Sequence, residues 1–284
     1  MIGITLIAFD RPQYMRRLLA SLEQQTDLEG VTFHLFQDGP INAFSGRKAG
    51  SGEGIDAVRT MWYKADIPKG KMSWRIQNVG TGIHQFEALE WMMQRYRRVV
   101  LMEDDVVLSP HWVRLTKILY DQAEAWPDVY SFSLGFKRRC SRGHLAEHLD
   151  KLTFDYGHWW AECLEVEKWA KARAYFLPYY QMIKDVDYYA RPQEEILALY
   201  ERDGWPRPYT TQDGGWEYAV WRAGMRRAVA VANRGIGIGQ EGEHFNPALF
   251  RELGMANQTP YIHAGDATLD RFEFVKEARC ESQS

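Results

Sequence analysis

The chain has 284 residues, with 35 Lys and Arg against 38 Asp and Glu and a formal net charge of −3. That balance lacks the basic excess of a nucleic-acid binder. Its 45% hydrophobic and 26% charged content also excludes disordered, collagen-like and disulfide-scaffold classes. The length supports one large domain or two closely packed subdomains around a full core.

Residues 2–9 are β-branched and apolar and read as a strand buried on both faces, as parallel strands of α/β proteins are. Asp10 is placed to cap a helix with Pro12 in its first turn, and Met15, Leu18, Leu19 and Leu22 then recur at helical spacing. A second strand over 31–36 runs into the turn cluster Gln37-Asp38-Gly39-Pro40, which completes a β-α-β unit with parallel strands and a right-handed crossover. Residues 42–54 are rich in Gly, Ser and charge and read as a mobile surface loop. A strand around 74–77 leads through Asn78-Val79-Gly80-Thr81-Gly82 into a helix to about Tyr96, with Phe86, Leu89, Met93 and Tyr96 on one face. Residues 99–102 form another buried strand, and Ser109-Pro110 starts a further helix as cap and first residue.

Beyond residue 125 the alternation loosens. A strand over 129–134, helices over 165–174 and 194–200, and a strand over 228–232 are expected, with no internal repeat. The class is therefore α/β, a mostly parallel mixed sheet flanked by helices with a less regular second half, and a soft boundary near residue 110.

Apolar runs are far shorter than the roughly 20 residues needed to span a bilayer, so the expectation is a protein without an integral membrane segment. Cys140, Cys163 and Cys280 are odd in number, widely spaced and without C-x-x-C, which points to reduced thiols and a cytosolic setting.

In open α/β sheets ligands bind at the carboxyl ends of the strands. Three such ends carry polar clusters here: Asp10-Arg11, Gln37-Asp38 and Glu103-Asp104-Asp105. Three adjacent carboxylates repel one another, so the last cluster calls for a divalent cation or strong donors, or else a solvated turn. Asp213, in Gln212-Asp213-Gly214-Gly215-Trp216-Glu217, reads either as a helix cap or as a general base at a pocket edge. Arg234 and His244 flank a glycine-rich stretch over 235–242. Its Gly237-x-Gly239-x-x-Gly242 spacing matches the dinucleotide fingerprint, but the sequence that follows does not open a crossover helix. A loop that closes over a ligand is the better reading. His158, Glu162 and Cys163 lack the spacing of a zinc site, so no metal is assigned there.

In this order the landmarks resemble the GT-A class of nucleotide-sugar-dependent glycosyltransferases. The opening ITLIAFDRPQYMRRLLASLEQQ looks like the family 2 pattern of strand, Asn/Asp-Arg-Pro and helix. FQDG and VVLMEDDVVLSPHW are closer to N-acetylglucosaminyltransferase I and its relatives, whose DXD-type metal motif is also written Glu-Asp-Asp. TQDGGWEYAVWRAG is similar to the family's base motif, although Gln212 stands where an acid is usual and leaves Glu217 as a rival base. NRGIGIGQEGEHF resembles the closing segment whose His returns to the metal and diphosphate.

The resemblance implies an inverting hexosyl- or N-acetylhexosaminyltransferase that uses Mn²⁺ or Mg²⁺ and a nucleoside diphosphate sugar, with a UDP-sugar expected. The acceptor would be a glycan or glycolipid, and the setting cytoplasmic, with or without peripheral association with the inner face of the membrane. It assigns 1–110 to nucleotide-sugar binding and 111–284 to the acceptor side and base, within one continuous domain. Phe9, Arg11, Asp38, Glu103, Asp104 and Arg234 would contact the donor, Asp105 and His244 the metal, and Asp213 would be the base. Trp159, Trp160 and Glu162 would lie on the acceptor side, where for the tryptophans a core role is the alternative to sugar stacking. Two other classes remain open on the residues: a sugar nucleotidyltransferase, which normally has a glycine-rich basic loop after its first strand, and a carbohydrate-binding domain without activity.

Overall fold

The computed structural model describes residues 1–135, 142–155, 160–207, 209–241, 246–252 and 262–275, with 142–144 described for the backbone alone. The first half alternates strand and helix: β1 (Ile2–Ala8), α1 (Pro12–Leu22), β2 (Val31–Gln37), α2 (Gly52–Lys64), β3 (Lys69–Trp74, ahead of the strand expected over 74–77), α3 (Thr81–Met93), β4 (Arg98–Glu103), β5 (Val106–Leu108) and α4 (Trp112–Gln122). The second half adds β6 (Val129–Ser133), α5 (Arg142–Glu147), β7 (Lys151–Asp155), β8 (Ala161–Glu165), α6 (Val166–Ile183), α7 (Gln193–Arg202), α8 (Gln212–Arg222), β9 (Arg226–Ala230), β10 (Gly235–Gly237), α9 (Pro247–Glu252) and β11 (Glu273–Phe274).

Nine strands form one mixed sheet in the order β11-β7-β9-β6-β8-β4-β1-β2-β3. Five of its eight pairings are parallel among the described residues, so strands from both sides of residue 110 share a single sheet.

Side chains alternate across β1, and this divides the core. Ile2, Ile4, Leu6 and Ala8 pack with Met15, Leu18 and Leu22 of α1, Val58 and Trp62 of α2, and Leu115 and Leu119 of α4. On the other face Ile7 joins Phe86 and Leu89 of α3, Phe176 of α6 and Trp216 of α8. Gly3 serves this second face by having no side chain, since a Cβ there would run into Met92 and Tyr96. Each layer removes a broad apolar surface from water, at about 25 cal/mol per Å².

Several local expectations shift. Asp10 does not cap α1; its carboxylate accepts from Ser51 N at 2.8 Å and ties down the start of α2 instead. The expected surface loop over 42–54 ends in that helix, which Ser51 caps by accepting from Gly54 N at 3.2 Å, and which buries Ile55, Val58 and Trp62. The earlier part of the loop is anchored rather than loose. Asn42 is buried, and its side-chain oxygen accepts from Phe44 N and Ser45 N, each at 3.0 Å. The helix expected from Ser109-Pro110 begins at Trp112, after a turn in which Ser109 O accepts from Trp112 N.

Register fixes the site. Ala8 pairs with Gln37 and Ile7 with Glu103, so the segments after β1, β2 and β4 emerge side by side at one sheet edge. The glycine-rich stretch comes back to the same edge. There β10 pairs antiparallel with β5, Ile238 N donates to Asp105 O at 2.7 Å, and Glu241 N donates to Tyr14 Oη at 3.1 Å. Among the described residues no helix is long and apolar enough to cross a membrane.

Candidate active site

At that edge lies a cavity of about 540 Å³. Phe9, Arg11, Asp38, Glu103, Asp104 and Asp105 form one wall from the ends of β1, β2 and β4, and Gln212, Asp213 and Glu217 of α8 also line it. The first turns of α3, residues of the 42–49 segment, Trp160, Tyr188 and Tyr209 also line it. Stretches separated by more than half the chain thus meet around one volume.

Arg11 organises the acidic cluster. Its guanidinium binds Asp104 Oδ1 and, at 3.0 Å, Asp105 Oδ2, while Asp104 Oδ2 accepts from Phe9 N at 3.3 Å. Asp105 Oδ1 is buried and has no partner among the described residues. Strong donors therefore compensate part of the cluster, and one guanidinium cannot neutralise three carboxylates. Burial, ahead of the neighbouring Glu103 and Asp104 charges and against the pull of Arg11, pushes the Asp105 carboxyl up to about 7; burial raises Asp104 as well. Gly239 seals this corner, because a Cβ on it would collide with Asp105 Oδ2.

The raised value has a consequence for stability. Between the ordinary carboxyl range and about pH 7 the folded chain holds a proton at Asp105 that the unfolded chain has lost, so raising pH through that window costs stability. An Asp105→Asn variant escapes this cost. Its thermal midpoint relative to the parent should climb from about pH 4 to about pH 7 and level off above that, and a flat difference would show that Asp105 is ionised in the folded protein throughout.

Asp38 is buried in the wall, and its carboxylate accepts from the backbone N–H groups of Gly39, Val79 and Gly80 at 3.0–3.1 Å. This pins the turn from which α3 starts, where Gly80 holds φ at 84°. The residue expected to touch the nucleoside thus positions the α3 end of the cavity.

In α8 the cap is Thr211, whose hydroxyl accepts from Gly214 N at 3.4 Å, so Asp213 is relieved of the capping role and stands in the first turn. Two glycines let this turn approach its neighbours closely: a Cβ on Gly214 would strike Tyr209 O, and one on Gly215 the Tyr179 ring. Trp216 then stacks on Phe176 with centroids 3.9 Å apart, which fixes the helix against α6. Glu217, one turn on, also lines the cavity, but its Oε2 is bound by Arg207 at 3.1 Å.

Two expected site residues are elsewhere. Arg234 is fully buried, paired with Asp266 at 2.7 Å and donating to Ala232 O and Leu149 O, and it does not line the cavity. It ties the segment around Asp266 to the fold and does not face the cavity. Glu162 points into the sheet core, where it accepts from Ser131 Oγ at 2.6 Å and pairs with Arg227 at 2.8 Å, so it belongs to the packing of β8 and not to an acceptor surface. Removing one partner of a buried pair leaves an uncompensated charge. Arg234→Met should therefore lose about 3–5 kcal/mol in denaturant unfolding; a variant of parental stability with weakened donor binding would return Arg234 to the site.

Trp160 does line the cavity, and its carbonyl accepts from Glu103 N at 2.9 Å. Trp159, His158 and His244 lie outside the described residues. Cys163 is buried in β8, and burial pushes its thiol well above its usual range, which leaves it an apolar core residue. Among the described residues no group of three His, Cys, Asp or Glu side chains would by itself hold a metal ion. Sequence reasoning missed Arg47, Gln85, Tyr188 and Tyr209 in the lining and named Gln212 only as a departure from the base motif; a neutral amide inside a helix, such as Gln85, carries no periodic or charge signal that could have found it.

No protein-family model matches the chain, and no curated protein is recognisably similar to it in sequence. Solved structures similar to it include S. aureus TarS. The 1–349 fragment of TarS in complex with UDP-GlcNAc matches with a TM-score of 0.49 and 12% identity over 89% of this chain and 64% of that one. The same fragment in complex with UDP matches at 0.45 and 10% over 83% and 60%. A longer TarS chain matches at 0.46 and 10% over 83% of this chain and 36% of its own length. This chain thus spans less than two thirds of each of these structures.

Proposed function

We propose that the chain is an inverting, cation-dependent glycosyltransferase of the GT-A type. It moves a hexosyl or N-acetylhexosaminyl group from a nucleoside diphosphate sugar, with UDP-sugars the first expectation, to an acceptor hydroxyl. The observation that carries this reading is the meeting of the Glu103-Asp104-Asp105 cluster and Asp213 on one cavity, in support of the resemblance drawn from the order of motifs. A glycan or glycolipid acceptor at the cytoplasmic face of a membrane fits the same resemblance.

The charge of the cavity supports a cation. Its described lining holds six carboxyl groups, on Asp38, Glu103, Asp104, Asp105, Asp213 and Glu217, against the guanidinium groups of Arg11 and Arg47. A diphosphate entering alone would meet net repulsion. The unpartnered Asp105 Oδ1 is a hard oxygen ligand of the kind Mg²⁺ and Mn²⁺ take, and such ions commonly use one or two carboxylates and complete their shell with substrate phosphates and water. The chain's residues therefore fit the ion, with Asp105 as its ligand and His244 as a second by resemblance. When bound, the ion would supply charge against the leaving diphosphate, a contribution of several kcal/mol.

The other steps fall to the chain's own groups. Arg11 orients Asp104 and Asp105 and offers its guanidinium at the phosphate end. Asp213 accepts the proton of the acceptor hydroxyl as that oxygen attacks the anomeric carbon from the side opposite the diphosphate, which inverts the centre. Trp160 supplies an apolar surface against the sugar. The test is release of nucleoside diphosphate from UDP-glucose, UDP-galactose, UDP-GlcNAc and UDP-GalNAc with and without Mn²⁺. Slow, cation-dependent hydrolysis of one of them supports a transferase, whereas binding of all without turnover would favour a carbohydrate-binding domain.

A further inference from the structure

Two neutral side chains in the cavity wall have no part in the reading above. Gln85 lies in the second turn of α3 and is 1% exposed; Gln212 opens α8 and is 5% exposed. Both line the cavity, and the side-chain oxygen of each is buried without a hydrogen-bond partner among the described residues. The orientation of the Gln85 amide is set by its neighbour. Nε2 donates to Glu103 Oε1 at 3.1 Å, and because a carboxylate only accepts, the group left over is the carbonyl oxygen. Leaving a buried acceptor unmet costs about 1–3 kcal/mol, so two of them in one cavity wall call for donors brought by an occupant.

Their positions say which part of the occupant. Gln85 is hydrogen-bonded to the first carboxylate of the acidic cluster, and Gln212 directly precedes Asp213. The first turns of α3 and α8 abut, since a Cβ on Gly82 would come within 3.1 Å of Gln212 Cβ. The two amides thus line the part of the cavity that runs from the acidic cluster to the start of α8, which carries Asp213. Resting on the glycosyl-transfer reading, the group that must occupy this part during transfer is the sugar itself. It carries several O–H donors, and an N-acetylated sugar adds an N–H.

We infer that Gln85 and Gln212 are specificity determinants for the transferred sugar, their carbonyl oxygens accepting from its hydroxyl or amide N–H groups. A site built to satisfy a substrate hydroxyl rejects an analogue lacking it, because its own polar atoms are then left unmet. The nucleotide gains nothing from either amide.

The experiment compares wild type with Gln85→Met and Gln212→Met, which keep length and remove the acceptor. Titration calorimetry in Mn²⁺ measures affinity for UDP and for the UDP-sugar that wild type hydrolyses fastest. Each variant should bind UDP as the parent does and the UDP-sugar about 10-fold more weakly. Deoxy analogues of that UDP-sugar, tested on wild type, give a second reading. Removal of the hydroxyl that an amide reads should cost wild type a similar factor and the matching variant little more, the signature of a direct pair. Parental affinity for the UDP-sugar in both variants overturns the inference and leaves the glycosyltransferase reading intact, as does an equal loss for UDP and UDP-sugar. A wild type that binds no nucleotide sugar removes the reading on which it rests.

Discussion

Asp213→Asn is expected to lower sugar transfer by about 10²–10⁴-fold, the usual contribution of a positioned general base. Donor affinity should stay near that of the parent, because the change removes a proton acceptor and keeps the shape and the first turn of α8, which Thr211 caps. Glu217→Gln should do far less. Both carboxylates line the cavity, but Glu217 is tethered to Arg207, whereas the two glycines after Asp213 allow its turn to press against Tyr209 and Tyr179. Initial rates at saturating donor and acceptor, with donor affinity measured separately, decide between them. The larger loss falling on Glu217→Gln would transfer the role of base to that residue.

Asp105→Ala should remove cation-dependent donor binding, with an affinity loss of about 10²-fold or more in Mn²⁺. Its Oδ1 is the buried carboxylate oxygen in the cluster with no partner among the described residues, and the Gly239 backbone packs directly against its Oδ2. The fold should survive, since Arg11 keeps Asp104 and the β5–β10 pairing is made by backbone. The thermal midpoint without a cation should therefore not fall, consistent with the cost of holding Asp105 buried. Unchanged donor affinity in Mn²⁺ would take Asp105 out of the site.

Strands β1, β2 and β4 were legible because buried parallel strands are written as short apolar runs, and their ends as polar turns; β3 over Lys69–Trp74 is mostly exposed and lies ahead of the strand expected over 74–77. Register then brought the ends of β1, β2 and β4 together, with Ala8 beside Gln37 and Ile7 beside Glu103. Asp213 and the glycine-rich segment were placed by the order of motifs alone; no local pattern encodes the β5–β10 pairing that folds residues 235–241 over Asp105. Arg234 and Glu162 misled for a related reason. A charge beside a motif looks like part of it, and the partners that bury these two, Asp266 and Arg227, lie far along the chain. The helix Gly52–Lys64 was hidden by its own start, where Gly52 and Gly54 read as loop while Ser51 supplies the cap. Gln85 had no signal at all, because its place in the wall depends on the tertiary fold.

The most direct test of the account is thermal unfolding of the intact chain with UDP-sugars, each in the presence and absence of Mn²⁺. A ligand that binds only the folded state raises its stability in proportion to occupancy. At least one UDP-sugar should raise the midpoint with Mn²⁺ present and do so much less without it. No shift with any of these UDP-sugars, with or without the ion, would contradict the assignment of this acidic cavity to a UDP-sugar donor.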